Sequence, residues 1–406
     1  METILRAYKY RLYPNKQQEV LLLKHLGCAR WIYNYALDKK VKAYKQDKKN
    51  LSRYEIQKDL PMLKKNIDTA WLKEVNSQSL QATLEHLDNA YRKFFKEKTG
   101  FPRFKSKHDN RQSFHIPQNT DVDWGTSKVS VPKIDDLKIA VDRKAVGAIR
   151  SSTISKTPTG KYFISILVDS GVEEPKKLKV KLATSVGIDL GIKDFVVLSN
   201  GEKVENPRHL RKRLRRLKML QKRASKKVKG SSNRKKANRR VALQYEKVAN
   251  ARKDFLHKLS TKLIRENQTV CLEDLNTRGM MKNHCLAQAI GDAGWSSFNS
   301  MLQYKCRWYG RNMITIGRFE PSSKMCSKCG ATNNALTLKD RSWTCVCGAY
   351  HDRDCNAAIN IRDFALNKYI GTECSDYKPV EKLALAGSAN QEIQSLVVFC
   401  LEAKNH

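Results

Sequence analysis

Four cysteines in the last third of the chain have the spacing of a zinc site. Cys326 and Cys329 form a C-x2-C pair, and Cys345 and Cys347 form a C-x-C pair after fifteen intervening residues. Two short turns facing each other supply the tetrahedral sulfur set that Zn²⁺ prefers. A glycine follows each pair and lets the backbone turn. Because four protein ligands leave no open position, we expect one structural zinc ion; the alternative is four unrelated reduced thiols.

Three acidic residues from distant parts of the chain form a second candidate site. Asp189 lies inside the apolar strand pattern GIDLG, Glu273 ends the apolar segment TVCLE, and Asp354 opens a helical segment. A carboxylate within a buried strand is costly unless a cation compensates it. The predicted order of strands and helices around these acids fits an RNase H-like nuclease. Such acids hold two Mg²⁺ ions, or Mn²⁺ in their place, for metal-assisted phosphodiester hydrolysis.

Each of these acids also has an ordinary explanation as a turn residue, a strand-end charge or a helix N-cap. Asp274 and Asp352 are rival carboxylates beside two of them. We favour Asp354 over Asp352 because it lies at the helix start and is followed by small residues that allow close packing on a sheet. Spacing alone leaves that choice open.

The charge of the chain points to a polyanionic partner. Seventy-eight Lys and Arg residues face 40 Asp and Glu residues, for a net charge of +38. Such an excess opposes compact folding unless a partner neutralises it, and nucleic acid does so with release of counterions. A basic protein that is merely soluble is the alternative.

The eleven cysteines and the lack of a signal peptide or of an apolar run near 18 residues lead us to expect an intracellular protein without a membrane segment.

The segment Arg208–Arg240 concentrates this charge, with seventeen Lys and Arg residues and no acid. Leucines at helical spacing predict an antiparallel helical hairpin over 206–266, with one apolar seam and a cationic exterior. Without acidic partners at i+4, we expect the exterior to bind phosphates. The candidate contacts are Arg208, Arg211, Arg215, Lys218 and Lys222.

The amino-terminal part predicts an α+β arrangement. Residues 4–13 alternate like a strand, and short β-rich runs between 113 and 178 are joined by turns. We expect both to share a small barrel that a helical lobe interrupts. In the first predicted helix, apolar or small residues recur at helical spacing: Val20, Leu23, Leu26, Gly27, Trp31 and Tyr35.

Several motifs together resemble the TnpB (OrfB) family of bacterial and archaeal insertion sequences, relatives of the type V CRISPR effectors. The matching segments are YKYRLYPNKQQ (8–18), GCARWIYNYAL (27–37), FPRFKS (101–106), GIDLGIKDF (187–195), LEDLN (272–276), DAGWSSFNSMLQYK (292–305), PSSKMCSKCG (321–330) and HDRDCNAAIN (351–360). The resemblance covers residues 1 to about 370.

The resemblance implies a multidomain α+β fold. A β-barrel wedge domain would comprise 1–14 and 110–180, with a recognition lobe at 15–109. A RuvC nuclease domain would comprise 181–320 and 351–370, with the zinc ribbon inserted at 321–350. We expect the tail, 371–406, to be disordered. Asp189, Glu273 and Asp354 match the RuvC catalytic triad, and 292–298 resembles a segment that gates access to it.

The family's activity would be guided DNA cleavage by a monomer in the cytoplasm or nucleoid of a bacterium or archaeon. The expected partners are a guide RNA from the transposon end and double-stranded DNA carrying a short adjacent motif. Amides at groove-contacting spacing are candidates for reading that motif, with a helix cap and solvent face as the alternative: Asn76, Ser77, Gln78 and Gln81. Rival functions are a guided binder or repressor without cleavage, a transposase with the same chemistry, and a zinc-ribbon module without chemistry.

Overall fold

The structure is a computed structural model that describes residues 3–97, 99–318, 320–337 and 339–370. It divides into two compact units, Met1–Glu173 and Glu174–His406. The predicted disorder of 371–406 concerns a segment outside the described residues.

The first unit combines helices with one sheet. Its helices are α1 (Lys16–Asp47), α2 (Arg53–Gln57), α3 (Asp59–Lys65), a 3-10 helix (Ile67–Glu74) and α4 (Ser77–Glu97). Its strands are β1 (Thr3–Tyr13), β2 (Gln112–Ile116), β3 (Asp121–Asp123), β4 (Lys128–Val131), β5 (Ile134–Ala140), β6 (Ala148–Lys156) and β7 (Tyr162–Glu173).

These seven strands form one antiparallel sheet in the order β2-β6-β7-β1-β5-β4-β3. The first strand therefore lies between β7 and β5, although the helices separate them in sequence. Alternating residues of β7 are buried, as expected for a strand with one face on the core. Tyr10 and Leu12 of β1 belong to the same core.

Helix α1 begins with a capping box in which Asn15 and Gln18 exchange side-chain and backbone hydrogen bonds. The apolar stripe predicted for this helix is only partly correct. Leu26 is buried, but Val20 is 51% exposed and Leu23 43% exposed. The buried face instead contains Leu22, Ala29, Ile32, Ala36 and Leu37. Periodicity identified the helix and misplaced its inner face, because apolar residues occur on both faces.

The second unit contains the three predicted acids and the four cysteines. Its strands are β8 (Ser185–Leu190), β9 (Asp194–Leu198), β10 (Lys203–Glu205), β11 (Thr269–Glu273), β12 (Asn312–Ile316), β13 (Ser342–Thr344) and β14 (Tyr350–Asp352). Its α-helices are α5 (His209–Ser225), α6 (Ser232–Glu266), α7 (Thr277–Met280), α8 (His284–Ala293), α9 (Trp295–Tyr309) and α10 (Arg353–Ile370), and a 3-10 turn spans Leu182–Thr184.

Five strands of this unit form a mixed sheet in the order β10-β9-β8-β11-β12. The first three are antiparallel neighbours, whereas β11 is parallel to both β8 and β12. Four consecutive residues are buried in each of β8 and β11, the pattern of strands covered on both faces. Helices α6 and α9 contribute to one core cluster against the sheet, and α10 contributes to another.

The basic segment forms helices α5 and α6, which pack against each other. Leu217 of α5 and Val248 of α6 are buried, and Gln221 Nε2 donates to the Tyr245 hydroxyl at 3.0 Å. Within the described residues, no helix is both long enough and apolar enough to cross a membrane.

Candidate metal centres

The sheet register brings two of the predicted acids side by side. In the parallel pairing of β8 with β11, Ile188 lies opposite Leu272. The next step of that register places Asp189 beside Glu273. Side chains at matching positions of adjacent parallel strands point to the same face, so both carboxylates share one face at the carboxyl ends of the strands.

Helix α10 brings the third acid to that face. A Cβ at Gly187 would lie 1.9 Å from the backbone oxygen of Ala358, so the helix rests directly on the strand there. Asp189 lies two residues after Gly187 and therefore on the same face, whereas Asp354 lies one helical turn before Ala358. Glycine in the strand and alanine in the helix permit this close approach.

Electrostatics show that the three acids are close together. Burial, followed by the nearby carboxylates of Asp354 and Glu273, raises the pKa of Asp189 to about 7, with Arg353 opposing them. A carboxyl group surrounded by other carboxylates holds its proton until a cation compensates the charge. The donor set therefore suits hard divalent cations such as Mg²⁺.

The rival acids make other interactions. Asp352 accepts from Lys203 Nζ at 2.6 Å and from the backbone N–H of Cys355 at 3.0 Å, so it caps α10. Asp274 accepts from Arg318 Nε at 2.7 Å. Asp354 has only an Arg341 guanidinium nitrogen at 3.8 Å among the ion pairs of the described residues. The cap in the HDRD segment is therefore Asp352, which leaves Asp354 for the shared face.

The four cysteines meet as their spacing predicts. Their sulfur atoms all lie within 4.8 Å of one another, with Cys326 and Cys347 at 3.8 Å and Cys329 and Cys345 at 3.5 Å. Sulfurs about 2.3 Å from a tetrahedral zinc are about 3.8 Å apart. The cluster therefore fits one zinc ion. It is the only group of three or more Cys, His, Asp or Glu ligand atoms this close within the described residues.

The backbone around the thiols also suits zinc. Gly330 and Gly348 have φ of 78° and 82°, the left-handed conformation that glycine adopts without a steric penalty. The backbone N–H of Ala349, followed by the other thiols of the cluster, lowers the pKa of Cys347 to about 7. His351 Nε2 lies 3.0 Å from Cys326 Sγ, within hydrogen-bonding distance of that sulfur. His351 thus flanks the cluster.

Two asparagines tie the first cysteine turn to α10. Asn356 Nδ2 donates to the Met325 oxygen at 2.7 Å, while its Oδ1 accepts from the Ser327 N–H at 3.0 Å. Asn360 Nδ2 donates to the oxygens of Ser322 and Met325, both at 2.7 Å. Both amides are 1% exposed. We call these two residues the asparagine clamp; sequence reasoning missed it, although the repeat of Asn four positions apart in NAAIN signals a polar helix face.

The candidate phosphate contacts of α5 are solvent-accessible. Arg211, Arg215, Lys218 and Lys222 are exposed at helical spacing along one side of the helix. Neither they nor Arg208 pairs with an acid in the described part of the chain. Asp292 of α8 caps the amino end of α5: its carboxylate accepts from the N–H groups of Leu210 and Arg211 at 2.9–3.1 Å.

The four predicted motif-reading residues differ in availability. Asn76 Oδ1 accepts from the Gln78 N–H at 3.1 Å at the start of α4, and the Ser77 hydroxyl accepts from Lys64. Gln78 Nε2 donates to Gln118 Oε1 at 3.3 Å. Gln81 is exposed and has no hydrogen bond within the described residues. Asn76 therefore caps the helix, and Gln81 has the most accessible amide.

The architecture belongs to a known structural class. In the cryo-EM structure of the Cas12f1–sgRNA–target DNA complex, one protein chain matches with a TM-score of 0.54 and 15% identity, over 89% of this chain and 99% of that one. The fold is therefore α+β and resembles Cas12f1. Family models match at residues 1–49 ("Helix-turn-helix domain"), 165–284 ("Probable transposase", OrfB of IS605) and 295–361 ("Cas12f1-like, TNB domain").

Sequence relatives identify the family. A protein from Streptomyces pristinaespiralis named "Putative RNA-guided DNA endonuclease" is 41% identical over 364 residues, 89% of each chain. InsQ of Escherichia coli (strain K12), which carries the same description, is 31% identical over 88% of this chain and 91% of its own. The chain belongs to the TnpB (OrfB) family, which confirms the resemblance inferred from the motifs.

Proposed function

We propose that this protein is an RNA-guided DNA endonuclease with one RuvC-type, RNase H-like active site. The observation that carries the proposal is the convergence of Asp189, Glu273 and Asp354 on one face of the five-stranded sheet, where burial and then the neighbouring carboxylates raise the pKa of Asp189. The strand order β10-β9-β8-β11-β12 and the mixed pairing of that sheet support the RNase H-like assignment. The names of the relatives support the same activity.

In this proposal Asp189, Glu273 and Asp354 would hold two Mg²⁺ ions, which would supply Lewis-acid assistance to phosphodiester hydrolysis. The scaffold fixes the carboxylates before the metals bind, through the strand register and the packing of α10 on Gly187. The zinc ribbon orders the chain that leads into Asp354, because the asparagine clamp joins the first cysteine turn to the same helix. One such site would cut both DNA strands in turn.

The remaining domains follow the family pattern in the same proposal. Residues 1–14 and 110–180 form the wedge, and 15–109 form the recognition lobe that reads the adjacent motif, with Gln81 as the most accessible amide. The guide RNA pairs with the target strand. The exposed face of α5 holds nucleic acid through Arg211, Arg215, Lys218 and Lys222, whose charges are free of acidic partners in the described residues.

The experiment begins with the RNA that co-purifies with the full-length protein. Sequencing it identifies the guide and permits a matched plasmid, which the protein is expected to linearise in Mg²⁺ and leave intact in EDTA. Asp189→Ala and Glu273→Gln are each expected to reduce cleavage at least ~10³-fold while RNA binding is retained, because only metal coordination is lost.

Asp274→Asn is the matched control. It changes an acid adjacent to Glu273 that is about half exposed and paired with Arg318, so cleavage should stay near the wild-type rate. A gel shift with intact plasmid would replace the proposal with a guided binder. Strand-transfer products formed without RNA would replace it with a transposase, and wild-type activity of Asp189→Ala would leave the zinc ribbon as a binding module without chemistry.

A further inference from the structure

A cavity of about 420 Å³ opens between the outer face of α1 and the 3-10 helix Ile67–Glu74, within the first unit. Its size is within the range of small-molecule sites in proteins. We call it the α1 cavity; its lining includes Lys24, Gly27, Arg30, Trp31, Trp71 and Glu74. It lies outside both metal centres.

Gly27 keeps the floor of the α1 cavity open. Glycine within a helix is destabilising relative to alanine, so its presence calls for a reason. A Cβ at Gly27 would meet only Arg30 Nη2, at 4.0 Å, and the backbone is helical. Packing within the described chain does not require glycine here. The open space therefore suits close approach by a molecule from outside.

Two indole rings form the walls. The centroids of Trp31 and Trp71 are 5.4 Å apart with their planes at 83°, and Trp31 stacks on Tyr35 at 5.3 Å and 10°. Trp71 is 36% exposed, and its Nε1 donates to the Asp68 oxygen at 2.9 Å. Supported aromatic rings at an accessible surface are stacking partners for the planar bases of single strands.

The polar groups of the cavity favour an anion next to a planar ring. Arg30 makes no hydrogen bond or ion pair within the described residues. Lys24 pairs with Glu74 at the rim, which neutralises the one acid there. The Asn34 amide is occupied on both sides by the Lys105 backbone, at 2.7 and 2.9 Å. The Arg30 guanidinium is therefore the group available to bind a phosphate in a forked geometry.

We propose that the α1 cavity binds one unstacked nucleotide of a single-stranded nucleic acid, with the base against Trp31 and Trp71 and its phosphate on Arg30. A bare phosphate would leave the indoles unused, and an aromatic peptide side chain would leave the arginine without an anion. The net charge of +38 favours a nucleic-acid strand as the source. The nucleotide site itself does not depend on the proposed function. Only the expectation that the strand is a guide RNA or a displaced DNA strand rests on it.

Intrinsic tryptophan fluorescence tests this proposal. A strongly basic protein also binds oligonucleotides at other surfaces, but binding there does not quench Trp31 and Trp71. The full-length protein, freed of nucleic acid in high salt, is titrated with UMP, uridine, ribose 5-phosphate, and five-nucleotide oligo(U) and oligo(dT). UMP and at least one oligomer should quench, uridine should bind at least tenfold more weakly than UMP, and ribose 5-phosphate should not quench. The tighter oligomer identifies RNA or DNA as the source. Absence of quenching by UMP and by both oligomers overturns the proposal.

Variants locate the signal. Arg30→Gln should weaken UMP binding at least tenfold, whereas Arg103→Gln, the same change at an exposed arginine of this unit, should not. Trp71→Ala should remove the part of the tryptophan fluorescence that UMP quenches. Trp124→Phe, at a tryptophan outside the cavity, should retain it. Equal effects of the two arginine changes would assign the binding to general charge and overturn the proposal.

Gly27→Leu separates binding from folding. A leucine fills the open floor and favours the helix, so the melting temperature should be unchanged or higher while nucleotide quenching is lost. Wild-type quenching in this variant would overturn the proposal. Guided cleavage without any quenching would refute the nucleotide site alone, whereas quenching without cleavage would refute only the proposed endonuclease.

Discussion

The two candidate metal centres of the second unit are built on opposite principles. The four sulfurs of the zinc cluster gather within 4.8 Å, from turns that are close together in the sequence. The three carboxylates come from two strands and a helix far apart in the chain, and they are less tightly gathered. Neutral thiols can converge without a cation, but like-charged carboxylates repel. The comparison teaches that a local chain segment determines the zinc cluster, whereas the packing of the entire sheet determines the carboxylate site.

Loss of the zinc ligands should have the largest effect. Cys326→Ser, or zinc chelation, should unfold the ribbon, because zinc contributes on the order of 10 kcal/mol to such sites. Metal analysis and hydrogen exchange over 321–352 measure the result. Cys285→Ser, at an exposed cysteine outside the cluster, should leave both unchanged. Retained protection of the ribbon without zinc would contradict a local origin of its order.

Gly187→Ala should disrupt the carboxylate site without touching the ribbon. The added Cβ would lie 1.9 Å from the Ala358 oxygen and 2.8 Å from the Arg362 nitrogen, so α10 must move away from the strand. Overpacking of this kind costs about 3 kcal/mol. Chemical denaturation and calorimetric Mg²⁺ titration should show lower stability and weaker metal binding at normal zinc content. Gly100→Ala, where no atom lies within 4 Å of the added carbon, provides the control.

The asparagine clamp tests whether the two centres are coupled. Asn360→Ala leaves the buried oxygens of Ser322 and Met325 without its amide, at a cost of about 1–3 kcal/mol. Zinc content should remain normal while Mg²⁺ affinity falls, since Asp354 lies on the same helix. Calorimetry and metal analysis on the same samples measure both quantities. Asn367→Ala, at an exposed position of α10, should change neither quantity. Wild-type Mg²⁺ affinity in Asn360→Ala would show that the two centres are independent.

The pH dependence should be the subtlest difference between the centres. The pKa of Asp189 rises from 3.8 to about 7 in the folded protein, through burial, Asp354 and Glu273. The folded state thus binds more protons than the unfolded state, and its Asp189-linked stability falls as pH rises from about 4 to 7. Metal binding must displace this proton, so Mg²⁺ affinity should increase about tenfold per pH unit up to pH 7 and then level off.

Asp189→Asn is the variant that checks this assignment. It cannot take up or release that proton, so the metal-free variant should gain melting temperature over the wild type at pH 8 and gain less at pH 5. Thermal denaturation of zinc-loaded protein in EDTA-free, magnesium-free buffer measures both values. An equal gain at the two pH values would assign the stability change to a group other than Asp189.

The sequence predicted the features in which side-chain type or local spacing is sufficient. The cysteine spacing predicted the cluster, which the sulfur positions confirm. The acid inside GIDLG singled out Asp189, whose catalytic role stays a prediction. The asparagine clamp was not predictable, since its partners lie some 30 positions away and depend on how the ribbon folds back. The closure of the amino-terminal sheet into a barrel stays a prediction.

Helix α1 shows a second limit of sequence reasoning. The predicted stripe has the correct helical period, but two of its members, Gly27 and Trp31, line the α1 cavity. Periodicity does not distinguish a core face from the wall of a cavity. The choice between Asp352 and Asp354 also needed the structure, because only the hydrogen bonds from Lys203 and Cys355 show which carboxylate is already occupied.

The carboxylate of Asp292 has a consequence for how a strand can lie on the basic hairpin. The amino terminus of a helix normally attracts phosphate through its free N–H groups. At α5 an internal acid already receives those N–H groups, and Arg252 Nη2 lies 3.3 Å from it. If α5 binds nucleic acid as proposed, a phosphodiester chain should therefore contact the exposed side of the helix and not its amino terminus. Replacing Asp292 with alanine, which cannot accept from these N–H groups, should leave them available to an anion at the amino terminus of α5.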